Sequence, residues 1–206
     1  MTSIVDENSG KGISDGVVSE LAAYFDVKPG HEEELRAALG RFVEVLRASD
    51  PAETIKTGLR DSRHVIFDEG RRLLWATTFE TDWDPYLEDA LLIVGAPHFF
   101  DWMQHTAQAD VLVQWLEDNG GIDRLDKNHP DFEANARKAS GGLKKIIQSV
   151  QTPAAVYFNP LGVVTMSQVI KGQLLDMAFQ QVLDDPAAEE ALSHPALKPL
   201  LDLAAS

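Results

Sequence analysis

Apolar residues change their spacing several times along the chain, and each change predicts an element. "LAAYFDVKPG" is a short apolar and aromatic run closed by Pro29-Gly30, which predicts a strand and a turn, with order starting near Val17. Leu35, Leu39, Phe42 and Leu46 then recur at spacings of 4, 3 and 4, the single stripe of a helix, and Glu32, Glu33 and Glu34 suit its positive N-terminal end. "HVIFDEGRRLLWATTF" holds two β-rich runs joined through Asp68-Glu69-Gly70, the pattern of a hairpin. The first 80 residues therefore read β-α-β-β.

Beyond the hairpin the period is helical. Asp84 followed by Pro85 predicts a helix start with Asp84 as N-cap, Leu87, Leu91 and Val94 as its buried face, and Gly95 with Pro97 as its stop. A further helix is expected over roughly residues 99 to 117, then a loop, "DNGGIDRLDKNHP", then a helix over 131 to 150 with a break at Gly141-Gly142. "PAAVYF" reads as the last strand. Thr165 and Gln168 fit a capping box in front of Val169, Ile170, Leu174 and Ala178, and Pro186, Pro195 and Pro199 predict short helical turns to the end. The polar, Gly/Ser-rich residues 1–16 read as a tail, and residues 17–206 as a single α+β domain with a helical insertion at about 97–150.

Composition narrows what such a chain does. At 206 residues and 44% hydrophobic content it is long enough for a real core. The net charge of −15 and the lack of a basic stripe disfavour nucleic acid, which needs clustered cations to release counterions. With no cysteine there is no disulfide, thiolate metal site or cysteine nucleophile. The opening "MTSIVDENSGKGISDG" lacks a cationic start and apolar middle, and no later apolar run reaches the ~18 residues of a membrane span, so a cytoplasmic protein without a membrane partner is expected. The glycine-rich loops of the commonest nucleotide-binding enzymes and the His-Glu-x-x-His of the zincins are absent.

The candidate chemistry is sparse. In "HFFDWMQH", His98, Asp101 and His105 fall within ~60° of a helix circumference at ~100° per residue, so a two-His, one-carboxylate metal set is geometrically allowed. Phe99, Phe100, Trp102 and Met103 fill the opposite arc, so an amphipathic helix with a wet outer face makes the same pattern, and the expectation is that no metal or other cofactor is bound. His64 opens the strand "HVIFD" and shares a face with Ile66 and Asp68; if that face lines a cavity, His64 is a candidate general base, since a free imidazole titrates near neutrality. Tyr24, Trp75, Trp83, Tyr86 and Tyr157 are the aromatic candidates for a ligand pocket.

"LAAYFDVKPGHEEELRAAL" and the hairpin with "LLWATTFETDWDPYLED", over roughly residues 18 to 95, resemble the dimeric α/β-barrel superfamily. That resemblance implies a ferredoxin-like βαββαβ sheet with helical insertions and a helical C-terminal region, paired face to face with a second copy. It also implies a small-molecule-binding homodimer, a monooxygenase-like oxidoreductase acting on a hydrophobic or aromatic substrate in the barrel pocket. The competing reading is a non-catalytic interaction protein whose sheet face serves self-association.

Overall fold

The computed structural model describes residues 10, 12–80 and 82–205. They form two compact units, Met1–Thr165 and Met166–Ser206, where one domain over 17–206 is expected from the sequence. The first unit contains, in order, β1 (Ser14–Asp15), β2 (Val18–Asp26), α1 (Glu32–Ala48), α2 (Pro51–Lys56), β3 (Leu59–Phe67), β4 (Arg72–Phe79), α3 (Trp83–Val94), α4 (Ala96–Met103), α5 (Ala109–Asp118) and α6 (Phe132–Gln148). The second holds α7 (Met166–Leu183), α8 (Glu189–Leu192) and α9 (Lys198–Ala204), with 3₁₀ turns opened by Pro186 and Pro195. The fold is mixed α and β, built on one open antiparallel sheet in the order β1-β2-β4-β3.

The period of two along each strand assigns the faces of that sheet. Cross-strand pairing lines up Leu21–Thr77–Ser62, Ala23–Trp75–His64 and Phe25–Leu73–Ile66 on one face. On the other it lines up Glu20–Thr78–Asp61, Ala22–Ala76–Arg63 and Tyr24–Leu74–Val65. The first face is the core: Leu21, Ala23, Phe25, Leu73, Trp75 and Phe79 are buried against Leu35, Ala38 and Phe42 of α1, Leu87 and Leu91 of α3, and Phe99 and Trp102 of α4. The second face stays open, with Tyr24 and Val65 about two-fifths exposed, at 41% and 42%.

The hairpin between β3 and β4 turns through Asp68, Glu69 and Gly70, all at positive φ, with the Asp68 carboxylate accepting from Arg71. At the start of β3 a bulge between Leu59 and Asp61 throws Arg60 out of the ladder.

Five local expectations are corrected. The tail expected over 1–16 gives way at Ser14–Asp15, which pair with Val18 and Ser19; residues 1–9 and 11 lie outside the described residues. "PAAVYF" is not a strand. Gln151 bridges Ala23, flanked by Tyr24 N–H to Val150 O at 2.9 Å and Thr152 N–H to Ala22 O at 2.8 Å. The ladder stops there because the next acceptor is taken: Gly12 N–H donates to Glu20 O at 2.7 Å, and Ala154 N–H turns to the Glu20 carboxylate. The helix expected over 99 to 117 is two helices, since residues 105–107 hook onto the end of β2 through Lys28 N–H to His105 O and Ala107 N–H to Asp26 O. Asp84 lies inside the first turn of α3, which starts at Trp83, and its carboxylate pairs with Lys144 at 3.0 Å.

The expected break at Gly141-Gly142 is also absent, as α6 runs straight through it. A Cβ at Gly142 would lie 2.4 Å from Trp115 Cδ1, on the indole that donates to Ala139 O, whereas a Cβ at Gly141 meets nothing within 4 Å. These glycines therefore answer oppositely to alanine. In urea unfolding, Gly141→Ala gains about 0.5–1 kcal/mol from helix propensity, and Gly142→Ala loses stability by displacing Trp115.

Candidate functional site

The two faces of the sheet divide the candidate residues between them. His64 and Trp75 are cross-strand partners on the core face, their rings stacked at 5.9 Å and 2°. Phe42 of α1 meets the same imidazole edge-on at 5.5 Å, and Trp102 of α4 does so at 5.3 Å, so His64 sits in an aromatic box with Phe99 behind it. Its Nε2 is buried with no hydrogen-bond partner among the described residues. Loss of hydration drives the pKa of His64 down to about 4, so the ring is neutral at physiological pH. Trp75 is held from outside the box, its indole N–H donating to Ser62 Oγ at 3.0 Å.

Tyr86 and Trp83 belong to the same buried side and serve packing. Tyr86 stacks on Phe79 at 4.4 Å and shares a 2.8 Å hydrogen bond with Thr77 Oγ1, and burial pushes its phenol up to about 12, which removes it as an acid or base near neutrality. Trp83 leans on Phe79 and Tyr86, its indole nitrogen without a hydrogen-bond partner among the described residues.

Tyr24 and Tyr157 lie elsewhere. Tyr24 pairs with Leu74, not Trp75, which places it on the open face. There the sheet and residues 152–157 enclose a cleft of ≈ 320 Å³ lined by Tyr24, Asp61, Arg63, Leu74, Thr78 and Tyr157. Thr78 donates to the Asp61 carboxylate, and Glu20, buried at the cleft's end, accepts from Ile13 N–H at 2.9 Å. A single pocket uniting Tyr24 with His64 and Trp75 does not form, because the sheet lies between them.

The polar arc of "HFFDWMQH" is dispersed. α4 ends at Met103, so His105 falls beyond the helix and its Nδ1 lies 2.9 Å from Nδ1 of His31. Desolvation first, and His31 second, hold His105 below the usual histidine range. Asp101 takes a two-pronged hydrogen bond from Arg41 at 2.7 and 2.9 Å. His98 lies toward Asp126. Among the described residues, no group of three or more His, Cys, Asp or Glu side chains is placed to hold a metal ion. The arc that matters in this helix is the apolar one, since Phe99 and Trp102 build the box around His64.

Sequence reasoning passed over Phe42, Trp102, Asp61, Arg63 and Thr78. Phe42 and Trp102 were legible only as parts of apolar helix stripes, and the other three depend on which strand neighbours which. Among the described residues, no helix is long and apolar enough to cross a membrane. No family model, no curated protein and no solved structure matches the chain.

Proposed function

We propose that the protein is a small-molecule-binding homodimer in the manner of the dimeric α/β barrels, with the open sheet faces of two copies enclosing a hydrophobic or aromatic ligand. In this reading β2, β3 and β4 are taken as the first three strands of a ferredoxin-like order, and residues 150–152, which bridge β2 on the edge it shares with β1, as the remnant of its last strand. The observation that carries the reading is the open-face cleft. Its ≈ 320 Å³ is within the range of small-molecule sites, and it joins apolar surface from Tyr24 and Leu74 to a few polar groups, Asp61, Arg63 and Thr78. The half-exposed Val65 and Tyr24 beside it are apolar surface that a second copy covers. A monooxygenase-like oxidation is the chemistry that the family resemblance implies; the side chains at the cleft supply binding and orientation.

Light scattering at micromolar concentration tests the assembly. Dimer is expected for the wild type and monomer for Val65→Glu, which puts a carboxylate on the apolar face that the second copy would cover. A monomeric wild type overturns the proposal. Nile red separates ligand binding from bare self-association: on a dimer that binds ligand its fluorescence rises, and Tyr24→Ala lowers that rise. A dimer on which Tyr24→Ala changes nothing favours an interaction protein without a ligand.

A further inference from the structure

The helix side of the sheet carries a second concavity, independent of the open face. Between α1 and β3 runs a groove of ≈ 480 Å³, lined by Arg36, Gly40, Val43 and Arg47 from α1 and by His64 and Ile66 from β3, with Glu44 as its one carboxylate.

Three features of the groove lack a structural purpose. The spacing of 4, 3 and 4 from Arg36 through Gly40 and Val43 to Arg47 makes one stripe of α1, with the two guanidinium groups near its ends. Arg41, Arg60, Arg71, Arg72 and Arg137 are paired with carboxylates, whereas Arg36 and Arg47, like Arg63 and Arg124 elsewhere, make no ion pair or side-chain hydrogen bond among the described residues. In a chain of net charge −15 that leaves two cations unspent on one groove.

Gly40 is the second feature. Glycine within a helix costs roughly 0.5–1 kcal/mol relative to alanine. Here a Cβ would meet nothing within 4 Å, and the residue is not at positive φ, so neither packing nor backbone geometry calls for it. What its missing side chain does provide is a flat ledge of helix backbone. The third feature is His64 itself. Its Nε2 is buried without a partner among the described residues, so the neutral ring is better accommodated with that nitrogen unprotonated, and the residue lines the groove.

We propose that this groove binds an aromatic carboxylate, its ring lying on the Gly40 ledge beside His64 and its carboxylate taken by Arg36 or Arg47. A planar guanidinium fork matches a carboxylate's two oxygens, and the groove volume suits a small organic acid.

2-Naphthoate is the probe, read by quenching of the tryptophan fluorescence, since Trp75 and Trp102 ring the imidazole. Saturable binding of one molecule per chain is expected, with neutral 2-naphthalenemethanol and inorganic phosphate both weaker. Arg36→Gln together with Arg47→Gln weakens binding about tenfold or more, the loss of at least one charge-assisted hydrogen bond. Gly40→Leu fills the ledge and abolishes binding without lowering Tm, which separates blockage from misfolding. Val65→Glu, on the opposite face, leaves binding unchanged, so failure of the dimer reading does not carry this one with it. Equal affinity for the neutral alcohol, or undiminished binding by Gly40→Leu, overturns the proposal.

Discussion

Between pH 7 and pH 4.5 the protein is expected to lose about 2 kcal/mol of unfolding free energy that a His64→Phe variant keeps. His64 titrates at about 4 in the fold, against an ordinary 6.5, because the box of Phe42, Trp75 and Trp102 desolvates it. A histidine depressed in this way takes up its proton more readily in the unfolded chain. Its neutral form therefore favours folding fully above pH 6.5, and the advantage drains away as pH falls from 6.5 toward 4. At about 1.4 kcal/mol per pH unit the whole window amounts to roughly 3 kcal/mol, most of it spent by pH 4.5. His105, also held low, pushes in the same direction but is present in both proteins, so the difference isolates His64. Urea unfolding at the two pH values measures it. Equal acid losses in the two proteins would show that the imidazole charges freely within the fold, and the aromatic box would then not be what keeps it neutral.

The parts of this fold that were legible in the sequence are those decided within a dozen residues. The α1 stripe from Leu35 to Leu46, the Asp68-Glu69-Gly70 turn and the alternation along β3 and β4 all rest on local spacing and local turn chemistry. What stayed hidden depends on partners distant in the chain. Tyr24 and Trp75 both look like pocket residues until the register pairs Tyr24 with Leu74 and sends them to opposite faces. "PAAVYF" has strand composition, yet Gly12 already occupies the Glu20 carbonyl that it would need. "HFFDWMQH" has a convergent polar arc only while the helix continues, and the end of β2 captures residues 105–107 and ends it. His64 was legible as the residue of interest, but its setting was not. Its box draws on α1, β4 and α4, three elements whose meeting no local pattern announces.

Glu80→Leu is expected to cost about 3–5 kcal/mol, a large effect for a residue that lines neither groove. The bulge at the start of β3 aims Arg60 at Glu80, Nε to Oε1 at 2.8 Å, with only 8% and 10% of the two side chains exposed. The same guanidinium donates to the carbonyls of Leu161 and Val164, so it fastens residues 161–164 to the sheet. Removing the carboxylate strands a buried cation with carbonyl partners only, which is the costly way to break such a pair. Removing both charges is the cheap way, and Arg60→Met combined with Glu80→Leu should recover a good part of the loss, since apolar groups of similar volume replace a buried ion pair at little expense. The recovery cannot be complete, because the two carbonyls lose their donor. Nearby, Val17 N–H donates to Gly162 O and Asn159 N–H to the Asp15 carboxylate, so amide exchange at Val17 and Asn159 should quicken in the double variant even where global stability returns. A Glu80→Leu variant within 1 kcal/mol of wild type in urea unfolding would mean that the pair is solvated in solution and that residues 161–164 are held by other contacts.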